Sequence, residues 1–252
     1  MTPIRSRDNA RVKRWAKLTG DARRRREEGR ALIEGPHLVA EALRARLEPL
    51  ALIVSELGLK HAEIRSLIAG RQPVVLCDRL FAAVVDADSP PGIAAEIEIP
   101  QLQGDTGKPT VFLEGIQDPS NVGAIVRSAA AFGAGEVVLD RGCADPWSPK
   151  ALRAGMGGHF RLALRQVPRL DKALEGFGGT TICAVPAGGI TLRSANLTGR
   201  VGWIFGAEGR GVSAPIARRA GLAVTIPMSS GSESLNVAAA AAICLYEAHC
   251  AQ

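Results

Sequence analysis

From Val237 to Leu245 the chain runs nine residues without a polar side chain, directly after a loop rich in Pro, Gly and Ser. A helix that is apolar all round must be buried, inside a core or against another chain. The loop before it, from Ile226 to Asn236, is polar, so Ser234 and Asn236 at the helix entrance are held between buried elements. Loops in such a position carry function more often than simple connections do. Serines and an asparagine ahead of a helix are also what plain N-capping requires.

The length of 252 residues suggests one large or two ordinary domains. Hydrophobic residues at 46% suffice for a core, while aromatics at 4% are sparse. Cys77, Cys143, Cys183, Cys244 and Cys250 form no CxxC pair and have no histidine at ligand spacing. That pattern argues against a zinc site and a disulfide scaffold, and for a reducing compartment. No apolar signal segment is visible at the start. The longest apolar run falls far short of the ~20 residues a membrane span needs. The expectation is a soluble, cytoplasmic protein.

The net charge of +6 is concentrated at one end. Residues 1–30 hold eleven Lys/Arg against four acids, so the remaining chain is close to neutral. Arg11, Lys13, Arg14 and the run Arg23, Arg24, Arg25 and Arg26 are the candidate contacts to a polyanion. Four consecutive arginines point all round a helix and find few acidic partners, which favours nucleic acid over a solvated helical face.

Residues 8–30 read as one or two basic helices. Strands at 31–34, 50–55, 73–77 and 92–99 alternate with helices at 36–46, 60–69 and 78–85. This predicts a small α/β domain over residues 1–104. The polar, proline-ended stretch 100–109 is the domain boundary. In the second domain, 110–252, strands are predicted at 110–114, 136–140, 161–164, 180–185, 201–205 and 222–226. Helices are predicted at 122–133, around 148–154, at 169–176 and from 235 onward. Apolar strands separated by helices imply a parallel sheet covered on both faces. Ligands of such sheets sit outside the carboxyl ends of the strands. Three polar stretches follow predicted strands and should converge on that edge.

The first is Pro119-Ser-Asn121, ahead of a helix whose buried stripe is Val122, Ile125, Val126, Ala129, Ala130 and Gly133. Arg127 lies about 130° from the stripe's centre, on the polar side, where a planar guanidinium can reach a phosphate or carboxylate. Asn121 also reads as an ordinary N-cap, a role that leaves the position of Arg127 unexplained. The second stretch, Gly206-Ala-Glu-Gly-Arg-Gly211, has the spacing GxxGxG. That is not the GxGxxG of a dinucleotide site, and no P-loop occurs. Its glycines permit a strained turn that approaches a ligand closely. Glu208 within it is either a surface acid or a partner that holds an asparagine or arginine. The third is the loop from Ile226.

Taken together, Asn121-Val-Gly-Ala-Ile-Val-Arg127, Phe205-Gly-Ala-Glu-Gly-Arg-Gly211 and Ile226-Pro-Met with Ser234-Leu-Asn-Val237 resemble the three motifs of the SpoU/TrmH branch of the SPOUT RNA methyltransferases. Glu34-Gly-Pro-His-Leu-Val-Ala-Glu-Ala42 and Ser89-Pro-Pro-Gly-Ile93 are similar to the RNA substrate-binding domain often fused before it. The resemblance implies S-adenosylmethionine-dependent methylation of an RNA ribose 2′-hydroxyl, with ribosomal RNA preferred over transfer RNA. It implies a C-terminal trefoil knot, an exception to the rule that chains do not thread, and a homodimer packed near it. It places adenosylmethionine against the main chain at Gly206, Ile226 and Leu235, with Phe205, Gly209, Met228 and Ser234 completing the cofactor set. Asn121, Arg127, Glu208, Ser234 and Asn236 surround the reacting centre, and the counterpart of Arg127 contacts phosphate and acts in deprotonation.

The residue types suit that chemistry. A ribose hydroxyl needs in-line positioning and loss of one proton, and the motifs offer no His, Cys or metal-ligand set. Guanidinium is a demanding base because its pKa exceeds about 12. Arg127 is therefore expected first as phosphate clamp and hydroxyl orienter, with Glu208, Ser234 and Asn236 fixing the geometry. Two rivals remain open: a Rossmann-type enzyme using Asp140 for a ribose, and a non-catalytic RNA-binding module.

Overall fold

The computed structural model describes residues 2–229 and 234–251. The chain divides into two compact units, Met1–Pro100 with Trp147–Phe160, and Gln101–Pro146 with Arg161–Gln252.

The first unit opens with α1 (Ala10–Gly20) and α2 (Ala22–Glu28), then β1 (Arg30–Glu34) and α3 (Pro36–Arg44). β2 (Ala51–Ser55), α4 (Ala62–Leu67), β3 (Val74–Leu76), α5 (Asp78–Val84) and β4 (Ile93–Glu98) follow. Helix α1 buries Val12, Trp15 and Leu18, one residue per turn, which turns Arg11, Lys13 and Lys17 outward. The basic segment is thus two helices, broken where Asp21 accepts the Arg23 N–H at 2.8 Å and caps α2. The sheet order is β1-β4-β2-β3. β4 lies antiparallel to both neighbours, while β2 and β3 are parallel. Alternation of strands and helices along the chain could not reveal that the last strand inserts between the first two.

The second unit begins with β5 (Thr110–Glu114), α6 (Pro119–Ala131) and β6 (Glu136–Asp140). Next in the chain comes α7 (Pro149–Gly155), which belongs to the first unit. The helix expected near 148–154 in the second domain therefore packs elsewhere, with Ala151 and Leu152 buried and an ion-pair set beside them. Arg153 reaches the buried Glu34 of β1 at 3.2 Å and Asp86 at 2.6 Å. The second unit resumes with β7 (Ala163–Val167), α8 (Leu170–Glu175), β8 (Thr180–Ala184) and the short β9 (Ile190–Thr191). It closes with β10 (Val201–Gly206), α9 (Ala214–Ala217), β11 (Leu222–Thr225) and α10 (Val237–Cys250).

The seven strands form one parallel sheet in the order β7-β6-β5-β10-β8-β11-β9. Its core includes Val111, Leu113, Trp203 and Phe205 from the sheet, with Ile125 and Val126 of α6 and Ala241 and Leu245 of α10. Helix α10 buries Ala238, Ala241, Cys244, Leu245 and Ala248, and its opposite side exposes Ile243 and Tyr246. The apolar helix is thus covered on one face only. No described helix is long and apolar enough to cross a membrane.

Candidate active site

The three polar stretches do meet at the carboxyl edge of the parallel sheet, through side chains whose polarity can be worked out. Asp118, not Asn121, caps α6: its carboxylate accepts the Ser120 N–H at 2.9 Å, and Pro119 supplies the first helical residue. Asn121 sits inside the first turn with its amide free for other partners. At the far end, Asn236 caps α10 by accepting the N–H groups of Ala238 at 2.9 Å and Ala239 at 3.3 Å on Oδ1. Its Nδ2 must then donate, and it does so to Asn121 Oδ1 at 3.1 Å. With that oxygen an acceptor, Asn121 Nδ2 donates to the Glu208 carboxylate. The sequence of donors runs in one direction from the α10 cap through Asn121, so an acceptor is needed at its end, and the Glu208 carboxylate supplies it.

The turn that carries Glu208 is fastened on both sides. Gly206 ends β10 so close to the returning chain that an added Cβ would lie 2.2 Å from Gly211 C and Val212 N. The Gly211 N–H donates to Ala207 O at 2.8 Å, and Gly209 and Gly211 take φ of 80° and 66°. The space that only glycine allows at Gly206 is therefore filled by the protein's own turn. Downstream, Glu114 at the end of β5 accepts the Ser213 N–H at 2.7 Å and its hydroxyl at 2.6 Å. Glu114, Ser213 and Asp118 escaped the reading from sequence. A carboxylate closing a strand at the ligand edge was the available signal for the first.

Arg127 is exposed on α6, opposite the buried Val122, Gly123, Ile125, Val126 and Ala129. It has no hydrogen-bond or ion-pair partner among the described residues. Ser234 and Leu235 are exposed beside the α10 cap, Gly209 is exposed at its turn, and Ile226 and Met228 are half-buried. Positions 230–233 of the polar loop lie outside the described residues. The Phe205 ring is buried and stacked on Trp203 at 6.1 Å, so only its main chain can face a ligand. Among the described residues the N–H groups of Met228 and Leu235 make no main-chain hydrogen bond. Main-chain donors beside the half-buried Ile226 and Met228 suit the adenine end of adenosylmethionine.

The Rossmann-type alternative loses its footing here. Asp140 accepts the N–H groups of Gly115, Gly142 and Cys143, each at 3.0 Å on one oxygen, and thereby braces the turn after β5. That employment, not a ribose, accounts for an acid after the second strand. The buried cysteines are not poised as nucleophiles either. Burial pushes the thiols of Cys143 and Cys244 up to about 12 and that of Cys183 up to about 11.

The basic helices of the first unit need a correction. Arg23 and Arg24 each meet an acid one turn later, Glu27 at 2.7 Å and Glu28 at 2.5 Å. Arg25 is buried at 4% exposure and donates to the carbonyls of Leu18 and of Thr19, the latter at 2.8 Å, where α1 ends. It braces the join between α1 and α2 and cannot touch RNA. Lys13 pairs with Asp8 at 2.6 Å, and Arg14 with the buried Glu96. Arg11 and Arg26 are exposed and unpartnered among the described residues.

Residues 108–246 match the SpoU rRNA methylase family, and residues 9–95 match the MRM3-like substrate-binding domain. The chain is 34% identical to the 23S rRNA (guanosine(2553)-2′-O)-methyltransferase RlmP of Bacillus subtilis over 98% of both proteins. Its fold is similar to a solved RNA 2′-O ribose methyltransferase, with a TM-score of 0.84, 28% identity and 99% of both chains covered. It is equally similar, at a TM-score of 0.84 and 25% identity over 96% of this chain and 97% of that one, to the SpoU methyltransferase AviRb of Streptomyces viridochromogenes solved with adenosylmethionine. On the three motifs, the parallel sheet and these similarities, the chain belongs to the SpoU rRNA methylase family.

Proposed function

We propose that the protein transfers the methyl group of S-adenosylmethionine to a ribose 2′-hydroxyl of RNA, with 23S-type ribosomal RNA as substrate. The observation that carries the reading is the hydrogen-bonded chain Glu208–Asn121–Asn236, which ties all three motifs together on the helix that carries Arg127, unpartnered among the described residues. Ribosomal RNA is favoured because the Bacillus subtilis relative, named for 2′-O-methylation of 23S rRNA, aligns with this chain from end to end.

Adenosylmethionine supplies the methyl group and would be held by the main chain of Gly206, Ile226, Met228 and Leu235. The protein's own part is positional. Glu208 and Asn236 fix the Asn121 amide from opposite sides, so the start of α6 cannot shift against the two loops. Arg127, held on that helix, clamps an RNA phosphate with its planar fork and orients the ribose hydroxyl. Ser234, exposed beside the α10 cap, would help fix that geometry, and the hydroxyl proton leaves to solvent. A base with guanidinium's pKa would work poorly, so Arg127 acts through charge and direction.

A C-terminal trefoil knot is part of the same proposal, supported by α10 packing on both α6 and β10. So is a homodimer through the outward face of α10. Tyr246 there is 52% exposed and stands edge-on to Phe132 at 5.8 Å, beside the exposed Ile243. Apolar side chains of this size on a helix surface ask for cover. We place the enzyme in the cytoplasm, where its five unpaired thiols stay reduced.

The test is calorimetry with adenosylmethionine, followed by methylation of ribosomal RNA with labelled cofactor. Micromolar cofactor binding and label recovered at a 2′-O-methyl nucleotide are expected. Cofactor binding with label on a base would overturn the ribose assignment, and no cofactor binding would leave a non-catalytic RNA binder.

A further inference from the structure

The first unit holds a cavity of about 710 Å³ at the head of its sheet, where the opening turns of α1 cross it. Glu96 of β4 forms the floor. Only 1% exposed, it accepts hydrogen bonds from Arg14, from Trp15 Nε1 at 2.8 Å and from Arg30 Nη1 at 3.2 Å. A buried carboxylate requires such company, and here it also pins two guanidinium groups in place. Their side chains remain 35% and 32% exposed, so each presents a face to the opening.

The rest of the lining is unengaged. Arg11 and Gln72 are exposed and have no side-chain partner among the described residues, and Leu50 is 46% exposed although large and apolar. Three guanidinium groups against one carboxylate leave the lining positive. The Trp and Phe rings of this unit, Trp15, Phe81, Trp147 and Phe160, are buried, and no histidine lines the cavity, so no aromatic platform faces it. A guanidinium plane held by a carboxylate serves the same purpose, because a base stacks on it. Leu50 supplies an apolar wall, Gln72 an amide that both donates and accepts towards a base edge, and Arg11 a free cation for phosphate.

We propose that this cavity binds one unpaired nucleotide of an RNA strand, with its base between a pinned guanidinium and Leu50 and its phosphate on Arg11. The inference rests on the reading that the protein acts on RNA, and adds to it a strand-holding site in the first unit. A duplex cannot use the site, since its bases offer only edges, whereas a looped-out or single-stranded base offers its face.

The experiment uses the full chain and a labelled single-stranded oligoribonucleotide of about ten nucleotides, within the site sizes of small single-strand binders. Leu50→Ser should weaken single-strand binding about tenfold, the lower end of what a lost base contact costs, and leave binding of the matching duplex unchanged. Gln72→Ala should alter the preference among bases. Arg11→Ala should reduce the slope of log affinity against log salt by about 0.7, one phosphate's worth on a single strand. Adenosylmethionine affinity, measured alongside, should not move in any of the three. Equal single-strand affinity in wild type, Leu50→Ser and Gln72→Ala would overturn the proposal. A uridine monophosphate that binds as tightly as the strand would overturn it too, in favour of a free-nucleotide site. A wild-type protein that binds adenosylmethionine but no single strand removes this site alone. One that binds the strand in the cavity and no adenosylmethionine keeps the site and removes the methyltransferase reading.

Discussion

The basic helices of the first unit and the carboxyl edge of the second unit use arginine in opposite ways. Residues 1–30 are rich in cations, yet most of these are engaged within the protein. Lys13, Arg23 and Arg24 pair with nearby acids, Arg14 and Arg30 converge on Glu96, and Arg25 is spent on carbonyls at a helix end. At the edge, by contrast, Arg127 is held on a fixed helix with no partner among the described residues. A charge surplus counted along a chain is thus only an upper bound on the charge offered to a ligand. What decides is whether the fold leaves a given guanidinium free and its backbone fixed.

The sharpest way to break this contrast is at Arg127. Arg127→Ala should lower turnover by about 10² or more, the usual cost of losing a charge-positioning group, with adenosylmethionine affinity and melting temperature unchanged. Arg127→Lys should fail nearly as badly, because an ammonium lacks the bidentate fork. A folded Arg127→Ala protein with wild-type turnover would move the chemistry to Glu208 or Asn236.

Next in size are changes to the chain that fixes α6. Asn121→Asp sets a carboxylate against Glu208, while Asn236 can still donate to it, so only the Glu208 side of the lock opens. Turnover should fall by up to about 10², since small misplacements at a reacting centre cost that much. Asn236→Ala should in addition destabilise the protein by about 1 kcal/mol through loss of the cap. Thermal unfolding beside single-turnover kinetics separates the two effects.

Within the basic run itself, neighbours should behave differently. Arg25→Ala should cost about 2 kcal/mol, from hydrogen bonds between a buried cation and carbonyls, and leave the salt slope of RNA binding unaltered. Arg26→Ala should lower that slope by up to about one and leave stability alone. Equal behaviour of the two would mean that the buried position of Arg25 is wrong.

The smallest effect is one of pH. Burial raises the Glu34 pKa above its ordinary 4.5, against the opposing pull of the Asp86 N–H and Arg153. The folded form then binds a proton more tightly than the unfolded chain. Its contribution to stability is full below the ordinary carboxylate range and declines as pH rises through the raised value. Glu34→Gln should flatten the unfolding free energy against pH in that window.

The parallel sheet and the convergence of the three loops were legible because buried strands and the stripe of α6 repeat with fixed periods. The turn chemistry was only half legible. Asp118 and Asn121 are both capping types, and it is Pro119, the first helical residue, that assigns the cap to Asp118 and frees Asn121. The fate of Arg25 was invisible, since it depends on how α2 folds back on α1 at Asp21, and no local pattern encodes that. The placement of α7 involves contacts between positions far apart in the chain, such as Arg153 with Glu34 and Asp86.

The most direct test of the central claim is a transcriptome-wide map of 2′-O-methyl ribose in cells that lack the gene. The prediction is the loss of methylation at one position of ribosomal RNA. Wild-type protein should restore it and Arg127→Ala should not, although both accumulate to the same level. An unchanged ribosomal RNA map, or full restoration by Arg127→Ala, would contradict the account.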